Sequence, residues 1–170
     1  MKIDGWSIDA FGPIQDWIVD GLEDHGYVIV LGDNETGKSA LFEFLTTALF
    51  GFSPATSDTH PYRPWDGRFP AGAVRARLRD GRAVRIARRL TSRPQGVVEI
   101  DGRDVDVANR PVEWVGNLGR AVFTNIHALT QNEALRLDAR AWQQVEDRVL
   151  GGASFDFLRP AREVVDRLDE

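Results

Sequence analysis

The sequence predicts an α/β fold, and three neighbouring observations predict it. Tyr27-Val28-Ile29-Val30-Leu31 is a continuous apolar run, the pattern of a strand buried on both faces as in a parallel sheet. A glycine-bounded loop, residues 32–37, follows it. Leu41, Leu45, Ala48, Leu49 and Phe52 then recur at helical spacing, so residues 38–50 are expected to form an amphipathic helix. Strand, glycine loop, helix is the unit from which α/β folds are assembled. At 170 residues, with 42% hydrophobic and 28% charged side chains, the chain is long enough and apolar enough to bury one core.

Upstream of this unit, residues 3–11 and 15–20 are short, rich in β-branched and aromatic residues, and separated by Gly12-Pro13. They read as two strands joined by a turn. Downstream, residues 51–72 carry four prolines and three glycines, which exclude long regular elements. This is an extended loop with Tyr62, Trp65 and Phe69 as aromatic anchors; stacking on adenine is the less favoured alternative for Tyr62 and Trp65, and loops of this length inside a domain are commonly functional. Val74, Ala76, Leu78, Val84 and Ile86 alternate with polar residues about Asp80-Gly81, predicting a hairpin within residues 73–92. A second hairpin, 97–107, turns at Asp101-Gly102. Residues 111–118 read as a short helix and 121–127 as a strand. Helical patterns run through 133–137, 139–150 and 155–168, the last expected to pack on the lobe or to root a coiled coil. The expected organisation is a lobe over 1–152 and a terminal helix over 153–170.

Gly32-Asp33-Asn34-Glu35-Thr36-Gly37-Lys38-Ser39 matches G-x-x-x-x-G-K-[ST]. The glycines let the backbone curl so that successive N–H groups point at phosphate oxygens. Lys38 is placed to reach the β- and γ-phosphates of a nucleotide and is the candidate catalytic residue, while the Ser39 hydroxyl is a ligand for Mg²⁺. The helix opening there directs its positive end at the anion, so the binding set extends from Gly32 through Ala40. Lysine is otherwise rare: Lys2 and Lys38 are the only two, against 19 arginines. ATP with Mg²⁺ is the expected ligand. The guanine-reading N-K-x-D of a GTPase is absent from the sequence.

Asn34 within the loop, the apolar strand before it and the helix ending Leu49-Phe50-Gly51-Phe52 resemble the ABC-type heads of the SMC and SbcC repair ATPases. Phe11-Gly12-Pro13, Tyr62-Arg63-Pro64-Trp65 and the hairpin from Gly72 to Arg88 are similar to the YhaN-like AAA domains. The resemblance covers residues 1–90 well and 120–150 weakly. It implies an N-terminal lobe bearing the Walker A loop and a Q-loop, with Gln131 as the Q-loop glutamine touching Mg²⁺. The alternative for that segment is a helix start, with Thr130 and Glu133 forming a capping box. The resemblance also implies a C-terminal lobe carrying the L-S-G-G-Q signature and a Walker B strand ending Asp-Glu. Neither motif occurs in the sequence, so the chain reads as half of a hydrolytic site. It would be completed by that lobe and by ATP-dependent pairing of two heads, in DNA repair or chromosome maintenance. Two other classes stay open: a nucleotide-binding interaction module that does not hydrolyse, and a small-molecule phosphotransferase.

The net charge of −5 conceals an uneven distribution. Residues 75–93 hold eight arginines and one aspartate, a local +7, so the remaining residues carry −12. Arg75, Arg77 and Arg79 alternate along one strand, with Arg82, Arg85, Arg88 and Arg89 opposite, a pattern suited either to DNA phosphates or to a solvated sheet face. No cysteine is present, which excludes disulfides, thiol catalysis and Cys-based metal sites. Three scattered histidines make a His-based metal cluster improbable. No signal peptide or membrane-spanning run is visible, so no membrane contact is expected and the expected compartment is the cytoplasm.

Overall fold

The computed structural model describes residues 1–116 and 118–127. The chain divides into two units, residues 1–116 and 117–170. The first unit is a six-stranded antiparallel sheet in the order β2-β1-β3-β4-β5-β6, with one long helix, α1, on one face. Its strands are β1 (Lys2–Phe11), β2 (Ile14–Val19), β3 (Ala71–Arg77), β4 (Ala83–Leu90), β5 (Pro94–Ile100) and β6 (Arg103–Asp106). In the second unit the described residues form α2 (Arg120–Ile126).

Local chemistry sets the turns. Gly12, at φ 57°, joins β1 to β2, and Gly81, at φ 91°, closes the β3–β4 hairpin. Asp101 and Gly102 both take positive φ, 52° and 70°, the pair of values a two-residue type I′ turn requires.

Register then places the core. Trp6, Val74, Ile86 and Val98 lie opposite one another across four strands and all are buried. The same face carries Ile8, Gly72, Arg88 and Gly96 in the adjacent row. Helix α1 (Lys38–Phe50) covers this face with Leu41, Phe44, Ala48 and Leu49. Gly72 is required where the helix comes closest, since a Cβ there would meet the Phe44 ring at 2.7 Å.

Three of the last carbonyls of α1, where intrahelical donors run out, find donors at or beyond its C-cap. Gly51 N–H donates to Thr47 O at 2.8 Å, and Val112 N–H to Leu49 O at 2.9 Å. Arg88 Nε donates to Ala48 O at 3.1 Å, while its two other nitrogens donate to Ala108 O and Arg110 O, both at 2.9 Å. Asn109 clamps the chain beyond, accepting from Phe52 N–H at 2.7 Å and donating to Phe52 O at 3.0 Å.

Four expectations need correction. First, residues 27–31 are not a strand buried on both faces: Tyr27 is 81% exposed, Ile29 70% and Leu31 88%. The described sheet is wholly antiparallel, and among the described residues no strand pairs with this segment. An apolar run encodes a demand for burial, and the neighbours that would satisfy it are not among those strands. Second, residues 121–126 are helical within α2 and His127 is its C-cap, with Phe123 N–H bonded to Gly119 O and His127 N–H to Phe123 O. Strand propensity is a weak preference when no ladder partner is present, and here local i→i−4 bonding prevails. Third, Trp65 does not anchor its loop, being 91% exposed, whereas Tyr62 does. Fourth, the arginines partition differently. Arg75 lies opposite Arg85 and Ala71 opposite Arg89, so Arg75, Arg77, Arg85 and Arg89 share the outer face while Arg88 points inward and is buried.

The short helix expected within 111–118 is a single 3₁₀ turn, Glu113–Val115. The helices expected over 133–137, 139–150 and 155–168 lie outside the described residues, as does Gln131.

Candidate nucleotide site

The candidate site forms where the loop 32–37 runs into α1. Glu35 and Gly37 both take positive φ, 66° and 100°, and these reversals curl the loop. Thr36 Oγ1 ties the curl by donating to Asp33 O at 2.8 Å. Leu41 N–H bonds Gly37 O at 2.8 Å, which starts the helix. No side chain caps the N-terminus of α1, and its first turn carries no acidic residue. Its first N–H groups and the positive end of its dipole are therefore left for an external anion. At the opposite end, the buried Arg88 cation meets the negative end of the same helix.

Lys38 Nζ folds back over the loop, donating to Gly32 O at 2.7 Å and Asp33 O at 2.5 Å. Its side chain is exposed. The ammonium thus spans the loop mouth, held by carbonyls that a phosphate oxygen can replace as its acceptor. Ser39, next in the chain, is exposed and lines the same cleft.

A cleft of about 280 Å³ opens here, lined by Asn34, Glu35, Gly37, Lys38, Ser39 and Ala40 from the loop and helix. Pro13 and Tyr62 complete its wall. The structure therefore gathers six of the nine residues expected at the site, Asn34, Glu35, Gly37, Lys38, Ser39 and Ala40, around one cleft. Gly32 and Asp33 contribute through the carbonyls that hold Lys38, and Thr36 through its tie to Asp33. Among the described residues no cluster of three or more His, Asp or Glu side chains can hold a metal ion. A single hydroxyl such as that of Ser39 suits Mg²⁺, which with nucleotides takes most of its positions from phosphate oxygens and water.

Pro13 is not marked by the sequence as a site residue, and for Tyr62 the sequence favours loop anchoring over stacking on adenine. The signal for Pro13 is the Gly12-Pro13 break, which turns the chain beside the loop. In the structure Tyr62 both anchors its loop and lines the cleft. Its ring stacks on Phe11 at 5.1 Å and 17°, and its carbonyl accepts Gly12 N–H at 2.7 Å. Burial, reinforced by the Glu43 carboxylate, raises the Tyr62 phenol above its ordinary pKa, so it remains a neutral hydroxyl.

No helix among the described residues is long and apolar enough to cross a membrane. A search of curated proteins found no match to the sequence. A family described as an AAA domain matches residues 1–153. With the phosphate-loop geometry and a match over nine-tenths of its length, the chain belongs to the AAA domain family of nucleotide-binding ATPases.

Proposed function

We propose that the chain is the ATP-binding lobe of an ATPase head of the SMC and SbcC kind, acting on DNA in repair or chromosome maintenance. One observation carries the nucleotide reading: the curled loop 32–37 delivers Lys38 and Ser39 to the uncapped N-terminus of α1. In this reading the N–H groups of Asn34 through Ala40 hold the phosphate chain, Lys38 neutralises its outer oxygens, and Ser39 orients Mg²⁺. When bound, Mg²⁺ supplies charge neutralisation across the β- and γ-phosphates.

Hydrolysis also requires a group that orients or activates water. No acidic side chain other than Glu35 lines the described cleft, and that one belongs to the loop itself. The reading therefore assigns the missing carboxylate to a complementary C-terminal lobe and the signature motif to a second head. The exposed apolar run at 27–31 supports this assignment. Immediately preceding the phosphate loop, it is suited to pairing with strands supplied by such a lobe.

Turnover measurements test the proposal. The chain alone is expected to bind ATP with negligible hydrolysis, and activity is expected to appear when the C-terminal lobe is supplied. Robust turnover by residues 1–170 alone would contradict the shared-site reading.

A further inference from the structure

We propose that Tyr62, with Pro13, forms the nucleoside wall of the phosphate-loop cleft and contacts the base and ribose of a bound nucleoside triphosphate. The proposal rests on the nucleotide reading of the loop and extends it to the part of the ligand that the loop does not address. The cleft has two chemically different sides. One is the loop and helix start, residues 34–40 without Thr36, whose backbone N–H groups, Lys38 and Ser39 suit phosphate and whose one acidic side chain is Glu35. The other is the Pro13 ring and the Tyr62 ring, which carry no charge to offer a phosphate but present flat, largely apolar surface. A planar heterocycle on its sugar is the portion of a nucleotide that such surface accommodates.

Tyr62 is also held in place before any ligand arrives. Its ring rests on Phe11, its N–H donates to His60 Nδ1 at 3.2 Å, and its carbonyl accepts the Gly12 N–H. Gly12 makes room for it, since a Cβ at that positive-φ turn would lie 3.0 Å from Tyr62 Cδ1. The same Cβ would lie 3.7 Å from Ala40 Cβ, which places Tyr62 beside the first turn of α1. A side chain already fixed in this way loses little conformational freedom on binding. Because the phenol stays neutral, it adds no charge to repel the phosphate chain.

The test compares calorimetric titrations of Mg-ATP and of Mg-tripolyphosphate, which has the phosphates without the nucleoside. Tyr62→Ala is expected to weaken ATP binding about tenfold and leave tripolyphosphate within about twofold, while Tyr62→Phe keeps both near wild type. Lys38→Ala is expected to weaken both ligands. Equal losses for the two ligands in Tyr62→Ala, or no loss for ATP, would overturn the proposal. If wild type binds tripolyphosphate and ATP equally well, the nucleoside wall is refuted while the phosphate loop stands; if it binds neither, the loop reading itself fails and this proposal falls with it. Nuclear Overhauser contacts between adenine protons and the Tyr62 ring in wild-type protein provide a readout independent of any variant. Their absence under saturating ATP would also overturn it.

Discussion

Arg88 is a cation placed in the interior of the sheet, 2% exposed, with three carbonyls as partners. Burial lowers its pKa from the ordinary guanidinium range to about 10, which still leaves it charged at neutral pH. It is retained because its planar fork reaches three carbonyls at once, one of them at the C-terminus of α1. Arg88→Met is expected to leave those carbonyls without their donor and to lower stability by about 3 kcal/mol in urea unfolding. Arg88→Lys should not rescue it, because a single ammonium cannot span the three directions. Lys38 contrasts with it. Exposed and held by two loop carbonyls, it should cost less than about 0.5 kcal/mol of stability when changed to Ala. Denaturation of the two variants side by side separates a residue kept for the fold from one kept for a ligand.

At the scale of elements, α1 and its contacts decide how well the phosphate loop is held. Gly72→Val would drive a branched side chain into the Phe44 ring, and overpacking of this kind costs about 1–3 kcal/mol; thermal unfolding checks it. The loop 61–69 depends on electrostatics. Arg68 bridges Asp66 at 2.6 Å and Asp16 on β2 at 2.9 Å. Bonds from the Arg68 backbone and side chain hold the Asp66 carboxyl below its ordinary pKa. The sign follows: the contribution is complete above the ordinary carboxylate pKa and is lost as pH falls through the lowered folded value. Carboxyl-carbon NMR should show Asp66 titrating below the usual range in wild type and moving part of the way back in Arg68→Ala, which removes the side-chain bond but keeps the backbone N–H.

The same scale explains what was legible beforehand. The bounds of α1 and the turn at Asp101-Gly102 depend on periodicity and positive φ within a few residues, so the sequence displays them directly. Arg88 and Arg89 are adjacent and chemically identical, and only strand register sends one inward and the other to solvent. Tyr62 reaches the cleft through the fold of a proline-rich loop, which no local pattern encodes. Residues 27–31 declare their apolar character plainly but not the neighbour it is meant for.

For the molecule as a whole, charge and apolar surface lie on different regions of the first unit. The outer face of the sheet carries Arg75, Arg77, Arg85 and Arg89, yet Arg75 is paired with Asp20 and Arg77 with Asp4 at 3.6 Å. Two charges of the +7 segment are thereby neutralised at home. If DNA contact uses this face, Arg85 and Arg89 carry it. Replacing both with Ser should then reduce the salt dependence of duplex DNA binding by about two phosphate equivalents, and an unchanged slope would remove DNA from this face. The exposed run at 27–31 predicts association of a different kind. Ile29→Asp with Leu31→Asp should abolish capture of a complementary C-terminal lobe, measured by co-purification, while circular dichroism of the chain stays unchanged.

The central claim, that residues 32–40 bind a nucleotide, is tested most directly by calorimetric titration of Mg-ATP into the wild-type chain and Lys38→Ala. Saturable binding at one site in wild type, weakened by about a hundredfold or more in the variant, is the expected result. Equal binding by both proteins, or none by the folded wild type, would contradict it.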